Sequence, residues 1–148
     1  MSAIGVVMPV FFRDSKRIEE VHCTLIYLGE SDKVHIPRQP LENAVARLRN
    51  QCRPMNIKVR QMAVYGHGTH TVLELEDITL KSYRTFLERE LRRDGIVSAS
   101  EYAYSPHVTI TKRHAPSKNP VLPWPDFRAP EYVWIDRPEI WWKSEDSK

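Results

Sequence analysis

Along this chain the order of β-rich and helix-periodic segments nearly repeats, strand–helix–strand twice over, and that pattern leaves few architectures open. Residues 3–12 are dominated by β-branched and aromatic side chains and predict a first strand, with Pro9 marking an edge or a bulge on one side. The run is short, contains proline and has no basic residue before it, so it reads as neither a signal peptide nor a membrane span. A charged loop over 13–17 leads to a second strand over 22–28, ended by Gly29. Over 39–51, Leu41, Ala44, Val45 and Leu48 recur at three- and four-residue spacing and predict an amphipathic helix, with Pro40 acceptable in its first turn. Residues 57–65 and 71–75 flank the turn Gly66-His67-Gly68-Thr69 as a β-hairpin. A second helix follows over about 79–94, with Leu80, Tyr83, Phe86, Leu87 and Leu91 on one stripe and Gly95 at its stop. A fifth strand covers 106–111, a proline-rich loop 113–129, and closing strands 132–135 and 140–142. No linker divides the chain. The expectation is one α+β domain over 1–148, built as two similar lobes of antiparallel sheet with helices packed outside and a central cleft.

Composition narrows the function classes. A chain of 148 residues that is 41% hydrophobic and 28% charged is an ordinary globular domain. Its 22 basic and 19 acidic side chains leave a net charge of only +3, far from the basic stripe that a long duplex requires. A nucleic-acid partner is therefore expected to be short, or held at a local site. Cys23 and Cys52 have neither framework nor C-x-x-C spacing, which fits a reducing compartment and predicts a cytoplasmic protein. Gly66 and Gly68 form no Walker loop or dinucleotide fingerprint, so no cofactor cradle is visible, which counts against an ATP-dependent ligase. His35, His67, His70 and His114 lack metal-ligand spacing and read as surface residues; no metal is expected.

His-x-Thr occurs three times, where chance in a chain with six histidines would give fewer than one. Context sorts the copies, because a strand places residues i and i+2 on one face about 6.5–7 Å apart whereas a glycine turn does not. The copy at His67 and Thr69 lies in the hairpin turn and reads as surface. The others, His22-Cys23-Thr24 and His107-Val108-Thr109, each open an expected strand in corresponding positions of the two lobes, 85 residues apart. Side by side they would present two imidazoles and two hydroxyls to one cleft.

This pair of motifs, the second in the context Tyr104-Ser105-Pro106-His107-Val108-Thr109, resembles the 2H phosphoesterase superfamily. The resemblance covers the chain to about residue 112; nothing beyond it matches a motif. It implies catalysis by His22 and His107 with Thr24 and Thr109 on the phosphate. The chemistry stands beside it. Cleaving a phosphodiester needs one group to accept a proton and another to donate one, and an ordinary histidine pKa of about 6.5 suits both tasks near neutrality. Two threonine hydroxyls can bind the non-bridging oxygens and hold the phosphate as charge builds.

Other candidates surround this pair. Tyr104 is expected to wall the cleft, and Lys112, with Arg113 and Lys118, to supply positive potential, although simple alternation puts Lys112 on the opposite strand face from His107 and Thr109. All four tryptophans lie in the last 25 residues. Trp134 reads as core, and Trp141 or Trp142 as a base platform worth about 1–3 kcal/mol per base; Trp142 is the expected substrate contact. The expectation is a metal-independent phosphodiesterase cleaving a small nucleotide phosphodiester, whether a 2′,3′-cyclic phosphate, a 2′-5′ linkage or a cyclic oligonucleotide. The resemblance also admits a phage anti-CBASS-type cyclic oligonucleotide nuclease and a 2′-5′ RNA ligase-like enzyme acting on RNA ends. A non-catalytic nucleotide-binding module is the remaining alternative.

Overall fold

The computed structural model describes residues 2–14, 17–65, 70–98, 103–112 and 127–144. β1 (Ser2–Asp14) and β2 (Arg17–Glu30) form a long antiparallel hairpin, followed by α1 (Arg38–Arg49). β3 (Met55–Tyr65) and β4 (His70–Leu75) form the second hairpin, and α2 (Ile78–Arg93) leads to β5 (His107–Lys112). β6 (Tyr132–Ile135) and β7 (Glu139–Ser144) close the order. The expected turn at 66–69, with His67, and most of the expected loop, with His114, Lys118 and Trp124, lie outside the described residues.

All strand pairings are antiparallel, and they join end to end into a circuit: β1 beside β2, β2 beside β5, then β4, β3, β6 and back to β1. β7 adds to the start of β1. The half-sheets β7–β1–β2 and β3–β4–β5 are the two expected lobes, joined at β2–β5 and bridged by β6. Pro9 sits where the outer edge of β1 passes from β7 to β6. It has no N–H to donate there, and its carbonyl accepts from the Asp136 amide at 2.8 Å.

One contiguous core unites the sheet with both helices. Leu41, Ala44, Val45 and Leu48 of α1 and Leu80, Leu87 and Leu91 of α2 are buried in it, against Ile4, Val6, Met8, Val10 and Phe12 of β1. Every second residue of β1 therefore points at the helices. α2 stops at Gly95, whose φ of +76° lets the Ile96 amide turn back to the Leu91 carbonyl and its own amide to that of Arg92, with Ile96 buried beside Leu91. Among the described residues no helix is long and apolar enough to cross a membrane.

Even an eight-stranded barrel has an interior only wide enough for side chains, so a circuit of six strands cannot hold a helix. The helices lie outside, and the sheet face turned away from them faces inward. Val7 and Val72 mark that face: both are buried, yet neither belongs to the helix-covered core.

Two expectations need correction. The segment 13–17 is not a free loop, because the hairpin continues through Arg13 opposite Ile18 and Asp14 opposite Arg17. β1 keeps its alternation as far as Phe12, so β2 finds partners five residues before His22, and His22 sits within the strand rather than at its start. Trp134 is not core. On β6 it is flanked by the buried Val133 and Ile135, so its ring falls on the opposite face and stays 44% exposed.

Candidate active site

β2 and β5 meet in the register Cys23 opposite Val108, and both of these side chains are fully buried toward the helices. Their neighbours therefore share the inner face. Antiparallel pairing sets Thr24 beside His107 and His22 beside Thr109, with the two histidines on a diagonal whose spacing is about 7–8 Å between backbones. Two imidazoles and two hydroxyls thus occupy one patch two strands wide. In each half-sheet a valine lies next to the threonine: Val7 opposite Thr24, and Val72 opposite Thr109.

A bulge shapes the β2 side. Val6 pairs with Ile26 and Val7 with Thr24, which leaves Leu25 as an extra residue and shifts the alternation so that Tyr27 joins Thr24 on the inner face. The close approach requires Gly5, where a Cβ would meet the Ile26 carbonyl at 2.9 Å. β5 begins at His107, so the β2 carbonyls past this point need other donors. The Tyr104 hydroxyl donates to the Thr24 carbonyl at 3.0 Å, and Arg84 Nη1 to that of Leu25 at 2.7 Å. The Arg84 guanidinium also lies 4.9 Å from the Tyr104 ring centroid and donates to Glu88 at 2.8 Å.

Each histidine is braced differently. His107 Nδ1 lies 2.9 Å from the Ser105 carbonyl. A carbonyl only accepts, so Nδ1 carries the proton and Nε2 is left for chemistry. The imidazole stands edge-on to Tyr65 at 5.0 Å, and the Tyr65 hydroxyl donates to Glu74 at 2.7 Å. Glu74 is the cross-strand neighbour of His107. The hydroxyl of Tyr65, with the Gln61 amide at 2.6 Å, holds the Glu74 carboxyl below the usual carboxylate range, while burial and then this carboxylate push the Tyr65 hydroxyl up. His22 instead packs edge-on to Trp141 at 4.4 Å, in a hollow of about 220 Å³ that Glu20 and Glu139 also line. Thr24, Tyr27, Tyr65, Tyr104 and His107 line a second hollow of about 430 Å³. Among the described residues no three histidine, cysteine, aspartate or glutamate side chains gather as a metal site.

Beneath the motifs the Cys23 thiol lies buried between His22 and Thr24, and burial pushes it up to about 11; Cys52 is likewise raised to about 11, again by burial. An acid raised in the folded state stabilises fully below its unfolded pKa, and that stability is lost as pH rises through the folded value. For Cys23 the gap from 9.0 to about 11 corresponds to about 3 kcal/mol. Denaturant midpoints measured from pH 8 to 11 are expected to fall above pH 9, and to fall less steeply in the Cys23→Ala, Cys52→Ala variant.

Several expected contacts stand elsewhere. Tyr104 lines the 430 Å³ hollow, but its hydroxyl is spent on the β2 backbone. Lys112 ends β5 in register with His70, and its side chain lies outside the described residues. Trp142, the expected base platform, pairs with the core residue Ile4, packs on the core and lies under the Arg38 guanidinium at 4.8 Å. Strand alternation gives the inner face to Trp141 instead. Tyr65 and Glu74 were not anticipated; the available signal is one carboxylate inside the apolar strand Thr71-Val72-Leu73-Glu74-Leu75.

No protein-family model matches the chain, and no curated protein matches it in sequence. Among solved structures it is similar to E. coli LigT complexed with 3′-AMP, with a TM-score of 0.48 and 17% identity over 84% of this chain and 78% of that one. It is also similar to the crystal structure of a phosphoesterase, with a TM-score of 0.59 and 14% identity over 97% of this chain and 90% of that one. The α+β architecture read from the sequence is therefore the one observed, and it is the fold of that phosphoesterase.

Proposed function

We propose that the chain is a phosphodiesterase of the 2H type acting on a small nucleotide phosphodiester, with His22 and His107 as the acid–base pair and Thr24 and Thr109 as phosphate anchors. The observation that carries this is the β2–β5 register, which brings two His-x-Thr motifs into one patch with their histidines on a diagonal. The likeness in fold to a phosphoesterase supports it. In the reaction one imidazole takes the proton of an attacking hydroxyl or water as the new O–P bond forms. The other gives its proton to the leaving oxygen as the old P–O bond breaks. The threonine hydroxyls donate to the non-bridging oxygens, where negative charge accumulates. Each turnover leaves the two imidazoles with exchanged protonation, and solvent resets them.

The reading is tested with a panel of 2′,3′-cyclic nucleotides, 2′-5′ and 3′-5′ dinucleotides and cyclic dinucleotides, incubated with and without EDTA. Hydrolysis of at least one class, undiminished by EDTA, is the expected result. Activity lost in EDTA would replace the metal-free mechanism, joined rather than cleaved ends would replace hydrolase by ligase, and an unchanged panel would leave a binding module.

A further inference from the structure

A groove of about 550 Å³ runs along one side of α2, outside the histidine patch. Lys81, Arg84, Thr85, Glu88 and Arg92 line it, and their spacing of three and four residues places them on one helical face. α2 carries five cations and two carboxylates, a surplus equal to the net charge of the whole chain. The groove itself sets three cations against one carboxylate, and Arg84 already engages that carboxylate, Glu88, at 2.8 Å. The hydroxyl of Thr85 adds a neutral donor, while that of Ser98 is held by the Tyr27 carbonyl and Arg84.

The groove adjoins the site, because Arg84, Ala103 and Tyr104 line both it and the hollow that contains Thr24 and His107. We infer that the α2 groove is a second phosphate subsite, which takes a neighbouring phosphate of the same nucleotide whose scissile phosphate lies at His22 and His107. The inference rests on the phosphodiesterase reading and deepens it: the preferred substrates are oligonucleotides with two or more phosphates, and a mononucleotide leaves the α2 groove empty. Arg84 is fixed by the Leu25 carbonyl and Glu88 and forms the divide, while Arg92 and Lys81, the latter also paired with Asp77 at 2.9 Å, are the exposed cations that line the groove.

The test compares 2′,3′-cyclic AMP with an adenosine dinucleotide ending in a 2′,3′-cyclic phosphate, using wild type and the double variant Lys81→Gln, Arg92→Gln. Wild type is expected to show the lower KM for the dinucleotide. The double variant is expected to raise that KM about tenfold, the loss of one or two charge-assisted contacts, with kcat and the mononucleotide KM unchanged. The KM of wild type for the dinucleotide should also rise more steeply with KCl than that of the variant. Equal wild-type KM values for the two substrates, or an equal shift of both in the variant, overturns the subsite. Should wild type cleave neither substrate, the phosphodiesterase reading is decided separately, by the wider panel above. Fluorescence anisotropy with a labelled adenosine dinucleotide then decides the groove: weaker binding by the variant upholds it, and equal binding overturns it.

Discussion

Replacing His107 with alanine is expected to lower kcat on the best hydrolysed phosphodiester by about 10²–10⁴-fold, and His22→Ala by a similar factor, because each removes one of two proton transfers. The fold should survive both changes. Neither imidazole belongs to the helix-covered core. His107 gives up its contact with the Ser105 carbonyl and its edge-on packing with Tyr65; His22 gives up the packing with Trp141. Losses of about 1 kcal/mol are expected from such contacts. The double variant should be hardly worse than either single one, since two groups acting on one transition state are not additive. Steady-state turnover and denaturant midpoints on the same preparations check both halves of the expectation. Wild-type turnover in either single variant would remove the histidines from the mechanism.

What the residues disclosed in advance was whatever depends on local period. The helix faces are the clearest case: the four apolar positions read for α1 are its four buried residues, and the stripe read for α2 supplies Leu80, Leu87 and Leu91. Gly95 declared its helix stop because few other residues tolerate a positive φ. The two motif strands were legible for the same reason. Register was not, because nothing local to residues 22–24 or 107–109 says that Cys23 will stand opposite Val108. Bulges were hidden too, and a bulge inverts the reading downstream: the extra Leu25 moves Tyr27 to the inner face. Trp141 and Trp142 show how much turns on one residue of parity, since adjacent indoles ended on opposite faces, one beside His22 and the other on the core. Glu74 could be read as odd in an apolar strand, but its place beside His107 exists only through the β4–β5 pairing.

Arg84→Ala is expected to cost about 2–4 kcal/mol of stability and, beyond that, to lower kcat by about tenfold. The Arg84 side chain is only 11% exposed, and its guanidinium satisfies the carbonyl of the bulge residue Leu25, which is itself fully buried. An alanine there leaves that carbonyl without its donor, at about 1–3 kcal/mol, and removes the partner of Glu88 and the cation over Tyr104. The catalytic part follows from position. Arg84 and Tyr104 together clamp the two consecutive carbonyls of Thr24 and Leu25, so loosening them lets the threonine hydroxyl drift from the phosphate, and misplacement of about 1 Å can cost 10²-fold. Arg84→Lys separates the two roles. A lysine can reach the Leu25 carbonyl but offers no planar fork for Glu88 and Ser98 together, so it should recover most of the stability and less of the turnover. Tyr104→Phe isolates the Thr24 carbonyl: the ring still packs, the hydroxyl is lost, and kcat should fall with KM little changed. Turnover identical to wild type in both Arg84→Lys and Tyr104→Phe would mean that the β2 bulge holds Thr24 in place without them.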